Sequence, residues 1–415
     1  MTDHAFYTLS ISTAAALLAY IVLWSGLQTF NANPTKRFMR IWLKLLLYYA
    51  AYTMPVWAAL LLVGWMQGLL GLLSSPLVLI ALSAMTLYFY TVVIQPNRLR
   101  LEHHTVDLDL SAPLTVAVLA DLRIGLFSGK PRHIRKLVAT INELSADAVL
   151  ITGDWLYYPS ADLVGQLMLF KGVNKPVYTV MSTSDLRYQS INTTKQGQPL
   201  LEDTLASAFD VLDISYIGQQ CTSLPLKCAG AHNVQSMVHH VGGRISNHET
   251  GQNTFKQNPG IKQSSLPKQK NTEDKKVVAI LCGWQDIPKQ FTDIENANAA
   301  DKAALGVEIA NASYPVIILA SRFDSISDLP KSLQPRPLLI TGAAKAIQKN
   351  IWLAQKQKDI QRSSESSTLL DNSRMGKQRG LYQHGSAQIF VSSGVGTRGL
   401  PFRLYRPTID VLTIR

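Results

Sequence analysis

Three apolar stretches in the first hundred residues constrain this chain more than any other feature. They run from about Tyr7 to Phe30, Trp42 to Met66 and Pro76 to Gln95. A helix needs about 20 apolar residues to cross a bilayer, so each stretch is long enough. Pro55 lies inside the second, where a spanning helix tolerates it. The first stretch lacks a basic start and is too long for a signal peptide. The expected layout is a membrane domain with three transmembrane helices over residues 1–96, then a domain over residues 97–415.

Lysine and arginine in the short loops set the orientation. The segment before the first span has none, and neither does the loop between the second and third. Lys36, Arg37 and Arg40 follow the first span, with Lys44 just inside the second, and Arg98 and Arg100 follow the third. This pattern places the N-terminus outside and the large domain in the cytoplasm. The whole chain is 47% hydrophobic, 16% charged and +12 in net charge. Basic excess suits an anionic partner. With spans present that partner is the lipid bilayer, and no nucleic-acid motif is found. Three cysteines, Cys221, Cys228 and Cys282, are too few for a disulfide framework and lack zinc-site pairing.

From Leu114 onward short Val, Ile and Leu runs end in small or polar residues. They are Thr115–Leu119, Ala148–Thr152, Val177–Met181, Val277–Leu281, Val316–Ala320, Leu338–Thr341 and Ile389–Ser392. Such runs read as strands buried on both faces. Ile134, Leu137, Val138, Ile141 and Leu144 keep helical spacing behind Pro131, and a second helix is expected near Thr292–Asn311. Strands alternating with helices give an α/β fold class. Residues 227–276 and 363–379 are polar and aperiodic and read as inserted loops.

Open α/β sheets gather ligands at the carboxyl ends of their strands. Here those ends carry Asp121-Leu122-Arg123, Gly153-Asp154, Ser182-Thr183-Ser184-Asp185, Gly283-Trp284-Gln285-Asp286, Ser321-Arg322-Phe323-Asp324 and Gly342-Ala343-Ala344-Lys345. The segments LTVAVLADLRIGLF, INELSADAVLITGDW, KPVYTVMSTSD, VIILASRFD, PLLITGAAKAIQ and the glycine-rich close through GVGTRG follow in order. In that order the chain resembles the calcineurin-like metallophosphoesterase superfamily, in its bacterial membrane-attached branch. The resemblance implies a two-sheet sandwich flanked by helices, set behind the transmembrane helices, at the bacterial inner membrane.

Family members hold two divalent metal ions with aspartates, an asparagine and histidines. Carried over position by position, Asp121 and Asp154 are the only retained ligand positions. The histidine beside Asp121 is Arg123, and the asparagine and catalytic histidine are Thr183 and Ser184. Asp185 is retained at a position that orients other groups. The later histidines are Ser321, Ala343 and Lys345. Two carboxylates without imidazoles do not hold a two-metal centre, and a guanidinium that never deprotonates repels a cation. The expectation is therefore a pseudoenzyme with no metal cofactor and no functional catalytic residue, acting as a binding or scaffolding module. Arg123 and Lys345 stand as an anion-binding pair for a phosphate-containing ligand or lipid headgroup. The alternative is an active hydrolase on phosphate esters or lipid-linked phosphates, with a site rebuilt from histidines of the 227–276 insert.

Overall fold

The computed structural model describes residues 2–31, 38–66, 75–127, 130–158, 163–185, 201–225, 277–284, 309, 312, 314–321, 337–342, 379–384, 387–396, 403 and 406–415. Both inserts lie outside this set apart from Arg379. So do Ala343, Lys345 and almost all of the helix expected over 292–311.

Helices α1 (Thr2–Asn31), α2 (Phe38–Met66) and α3 (Ser75–Phe89) carry the three apolar stretches. By length and hydropathy the spans are Thr8–Asn31, Phe38–Met66 and Pro76–Asn97, so this is a membrane protein. The third span ends in a π-turn, Tyr90–Ile94, and a 3-10 turn, Gln95–Asn97. In the π-turn the Gln95 N–H reaches the Tyr90 carbonyl. The next bond in that register would go from residue 96 to the Thr91 carbonyl, but Pro96 has no N–H. The Arg403 backbone N–H makes that bond instead, at 3.0 Å.

Only Arg98 and Leu99 separate the third span from β1 (Arg100–Val106). Thereafter come β2 (Leu114–Leu119), β3 (Ile124–Gly125), α4 (Pro131–Glu143), β4 (Ala148–Ile151), β5 (Leu156–Tyr157), α5 (Leu163–Leu167), β6 (Val177–Thr179), α6 (Leu201–Val211), β7 (Ile214–Tyr216) and β8 (Cys221–Pro225). The rest are β9 (Val277–Trp284), β10 (Val316–Ala320), β11 (Leu338–Gly342), β12 (Gly380–His384), β13 (Ala387–Ser392) and β14 (Thr408–Ile414). Two mixed six-stranded sheets result, ordered β1-β14-β2-β4-β6-β7 and β12-β13-β11-β10-β9-β8.

Strand alternation builds the layers. Val116, Val118 and Leu150 of the first sheet meet Ile317, Leu319, Ile340 and Phe390 of the second in one buried cluster, so the sheets pack face to face. The opposite side chains of the first sheet, Ala117, Leu119, Val149 and Ile151, pack on Ile134, Leu137 and Ile141 of α4 and Phe209 of α6.

The membrane helices rest on the loops that follow β3 and β5. Ile41, Leu45, Tyr48 and Val92 share a buried cluster with Phe127, against which Tyr157 and Tyr158 pack. Lys44 Nζ donates to the Tyr157 hydroxyl at 2.8 Å. Cys221 and Cys282 face each other across the antiparallel β8–β9 pair and form a disulfide, which the cysteine count alone did not suggest.

Candidate functional site

The carboxyl ends of β2, β4, β6, β10 and β11 converge. A Cβ added at Gly153 would stand 3.1 Å from both Ser321 Cβ and Ser182 N, and one at Gly342 would stand 3.1 Å from Thr152 Oγ1. The structure therefore brings Asp121, Arg123, Asp154, Thr183, Ser184, Asp185 and Ser321 to one edge of the two sheets. Thr183, Asp185 and Ser321 are buried and Ser184 is half-buried. The Thr152 Oγ1 and Ser321 Oγ atoms are buried without a hydrogen-bond partner among the described residues.

Asp121, Arg123 and Asp154 adopt left-handed backbone, with φ of 55°, 49° and 50°. Each such non-glycine residue costs about 1–2 kcal/mol, so strain is concentrated at this edge. The conformation is held by bonds between the loops. Arg123 N–H donates to the Asp154 carbonyl at 2.9 Å and Ile124 N–H to the Trp155 carbonyl at 2.7 Å. Val395 N–H and Gly396 N–H donate to the Ala120 and Asp121 carbonyls at 2.8 and 2.7 Å.

The Arg123 side chain decides the chemistry. Its Nη2 lies 2.8 Å from Asp121 Oδ1 and 3.3 Å from Asp154 Oδ2, with all three residues buried. Burial works against the guanidinium charge, yet Asp121 and Asp154 outweigh it and its pKa is raised. A fixed cation thus joins the two carboxylates that the resemblance assigns to metal. Among the described residues no histidine joins them. Among the described residues, two carboxylates already joined by a guanidinium do not make the donor set of a two-metal centre.

A second buried guanidinium, missed in the sequence, flanks the first. Arg403 donates through Nη2 to the Gly394 carbonyl at 2.6 Å and through Nη1 to the Gly396 carbonyl. Its pKa is pushed down to about 10, first by burial and then by the charge of Arg123, while Asp121 opposes the shift. Lys345, expected as the second cation, lies outside the described residues. Arg398, Arg403 and Arg406 are equally basic in the sequence, and only the tertiary fold shows that Arg403 turns inward.

Asp185 staples the turn after β6 to the start of β5. Its Oδ1 accepts Leu156 N–H at 2.9 Å, and its Oδ2 accepts Ser182 N–H and Oγ–H, each at 2.9 Å. Its pKa is pushed up to about 7, first by burial and then by Asp154, against the lowering effect of these bonds. An unfolded aspartate titrates near ~3.9, so the folded chain keeps a proton that the unfolded chain releases. Its contribution to stability falls as pH rises from about 4 to about 7 and is level above. Thermal melts over that range should show a midpoint that declines with pH in the wild type and declines less in Asp185→Asn. Equal slopes would remove Asp185 from this role.

Away from this edge, Glu102, His104 and Asp410 form a group whose spacing could admit a cation. His104 Nε2 lies 3.5 Å from Asp410 Oδ1 and 3.9 Å from Glu102 Oε2. Arg379 and Arg100 already meet Glu102 Oε1 at 2.6 and 3.1 Å, so positive charge is supplied from within the chain.

No family model matches this chain, and a comparison with curated proteins gives no match.

Proposed function

We propose that this membrane protein is a calcineurin-like metallophosphoesterase relative whose two-metal centre has become a buried ion-pair cluster, and that it serves as a binding or scaffolding module. The observation that supports this reading is the Arg123 guanidinium, bonded to both Asp121 and Asp154. A divalent ion between these carboxylates would meet a permanent positive charge. Fold and chemistry separate readily, so a retained scaffold does not carry retained catalysis.

The test is metal analysis of the purified full chain together with turnover of a generic phosphodiester. The expected result is substoichiometric metal and a rate equal to that of Asp154→Ala. Stoichiometric manganese, iron or zinc, with turnover abolished in Asp154→Ala, would sink the proposal. It would favour a working phosphoesterase rebuilt with His232, His239, His240 or His248.

We place the large domain on the cytoplasmic side of a bacterial inner membrane. The lysines and arginines adjoining the spans lie on the side from which the domain emerges. The Cys221–Cys282 disulfide favours the opposite placement, because cytosolic thiols are kept reduced. A C-terminal reporter active only outside the cytoplasm should stay silent. An active reporter would reverse the topology.

A further inference from the structure

The stretch from Lys130 to Lys136 is KPRHIRK, five basic side chains in seven residues with no acid among them. Lys130, Arg132, Arg135 and Lys136 are exposed, and His133 is half-buried. Like charges this close repel one another, and a bound anion would relieve that repulsion. None of the salt bridges among the described residues supplies an acid to these side chains.

The cluster is fastened to the apolar helices. Lys130 Nζ sits 5.2 and 5.1 Å from the ring centres of Tyr48 and Tyr52 on α2. Lys136 Nζ donates to the Asn97 carbonyl, the last residue of the third span, at 3.1 Å. His133 Nε2 pairs with Asn97 Oδ1. The basic side chains therefore stand where the third helix leaves the bilayer.

Beside them opens a cleft of about 80 Å³. Its walls include Leu99, Ile124, Phe127, Leu137 and Phe170, with the ammonium-bearing Lys136 and the His133 imidazole beside them. Apolar walls next to a basic rim match a phospholipid at the depth where headgroup meets acyl chain. The volume admits a few methylene groups and not a whole chain.

We propose that this face binds an anionic phospholipid from the adjoining leaflet, with the first methylene groups of an acyl chain entering the cleft and its phosphate met outside it by Lys136 at the cleft wall and by the exposed Arg132 and Arg135 on the same helix. Continuity with the spanning helices selects a membrane lipid over a soluble phosphate, because the third span delivers the cleft to the leaflet. Basic residues next to a membrane are drawn to its anionic lipids, so several acting on one headgroup give selective retention. The His133 pKa is lowered by burial and then by Lys130, Lys136 and Arg132, which fits a pocket whose charge awaits an anion. The proposal is independent of whether the Asp121–Asp154 edge is catalytic.

The experiment uses the full chain in mild detergent, with lipid retention read by native mass spectrometry. Phosphatidylglycerol and phosphatidylcholine of identical acyl chains are the probes. Expected is at least tenfold preferential retention of one phosphatidylglycerol, lost in Arg132→Gln/Lys136→Gln and unchanged in Arg415→Gln. Phosphatidylglycerol should also raise the melting temperature of the wild type, while inorganic phosphate at the same concentration should not. Equal retention of both lipids, or of phosphatidylglycerol by the double variant, would overturn the site. Equal stabilisation by inorganic phosphate would overturn the lipid assignment. Both substituted side chains are exposed, and a wild-type melting temperature of the lipid-free double variant separates lost lipid binding from the lost Lys136–Asn97 bond.

Discussion

Replacing Arg123 by alanine is expected to destabilise the large domain by about 3–5 kcal/mol, the range for removing one partner from a buried ion pair. The guanidinium sits between Asp121 and Asp154, and all three are buried. Alanine would leave two adjacent carboxylates in a poorly solvated pocket, and desolvated charge without a partner is costly. The strained backbone at these residues adds to the effect, because the cluster helps hold it. The check is the thermal midpoint of the purified full chain. A second comparison separates lost pairing from lost volume. Arg123→Ala/Asp154→Asn should recover part of the loss, since it removes one of the orphaned charges. If Arg123→Ala melts with the wild type, the cluster does not stabilise the fold.

Substituting alanine at Gly394 is expected to be comparably damaging, for steric reasons. Gly394 has φ of +77°, and an added Cβ would lie 2.8 Å from Asp121 Cβ and 2.9 Å from the Ala120 carbonyl oxygen. One contact is with a Cβ and the other with a backbone carbonyl, and neither can rotate away. The left-handed conformation alone costs about 1–2 kcal/mol for a residue with a Cβ. Gly380 is the control. Its φ is +131°, and nothing lies within 4 Å of its added Cβ. Gly380→Ala should therefore show strain without the clash. Equal melting temperatures for the two variants would mean that the close approach at Asp121 is not stabilising.

The central sheets were legible in the sequence because their strands are apolar on both faces. Leu114–Leu119 and Val316–Ala320 are nearly all buried, and their runs are unbroken. Edge strands lack that signal. Arg100–Val106 reads RLEHHTV and alternates exposed with half-buried positions up to Val106, so no apolar run marks it. Cys221–Pro225 and Gly380–His384 escaped for the same reason, and the two-residue strands at Ile124 and Leu156 exist only because two loops meet. At the site, Asp121, Arg123 and Asp154 could be placed because each directly follows a buried strand. Arg403 could not, because its inward turn depends on glycine carbonyls nine and seven residues away in the chain. The disulfide was hidden likewise, since the two cysteines are 61 positions apart and only strand pairing aligns them.

The bond from Arg403 to Thr91 and the two-residue step from Asn97 to Arg100 have a mechanical consequence. A domain hung on a long linker wanders over a hemisphere of positions. This one is bolted to its anchor, so its height above the lipid and its facing direction are set by the helices. A twist or tilt of the third helix has one short lever arm, Thr91 to Arg403 to the Gly394 turn, before it reaches the strained backbone at Asp121. The third helix and the buried cluster are therefore coupled through a backbone bond and a side-chain bond of a single arginine.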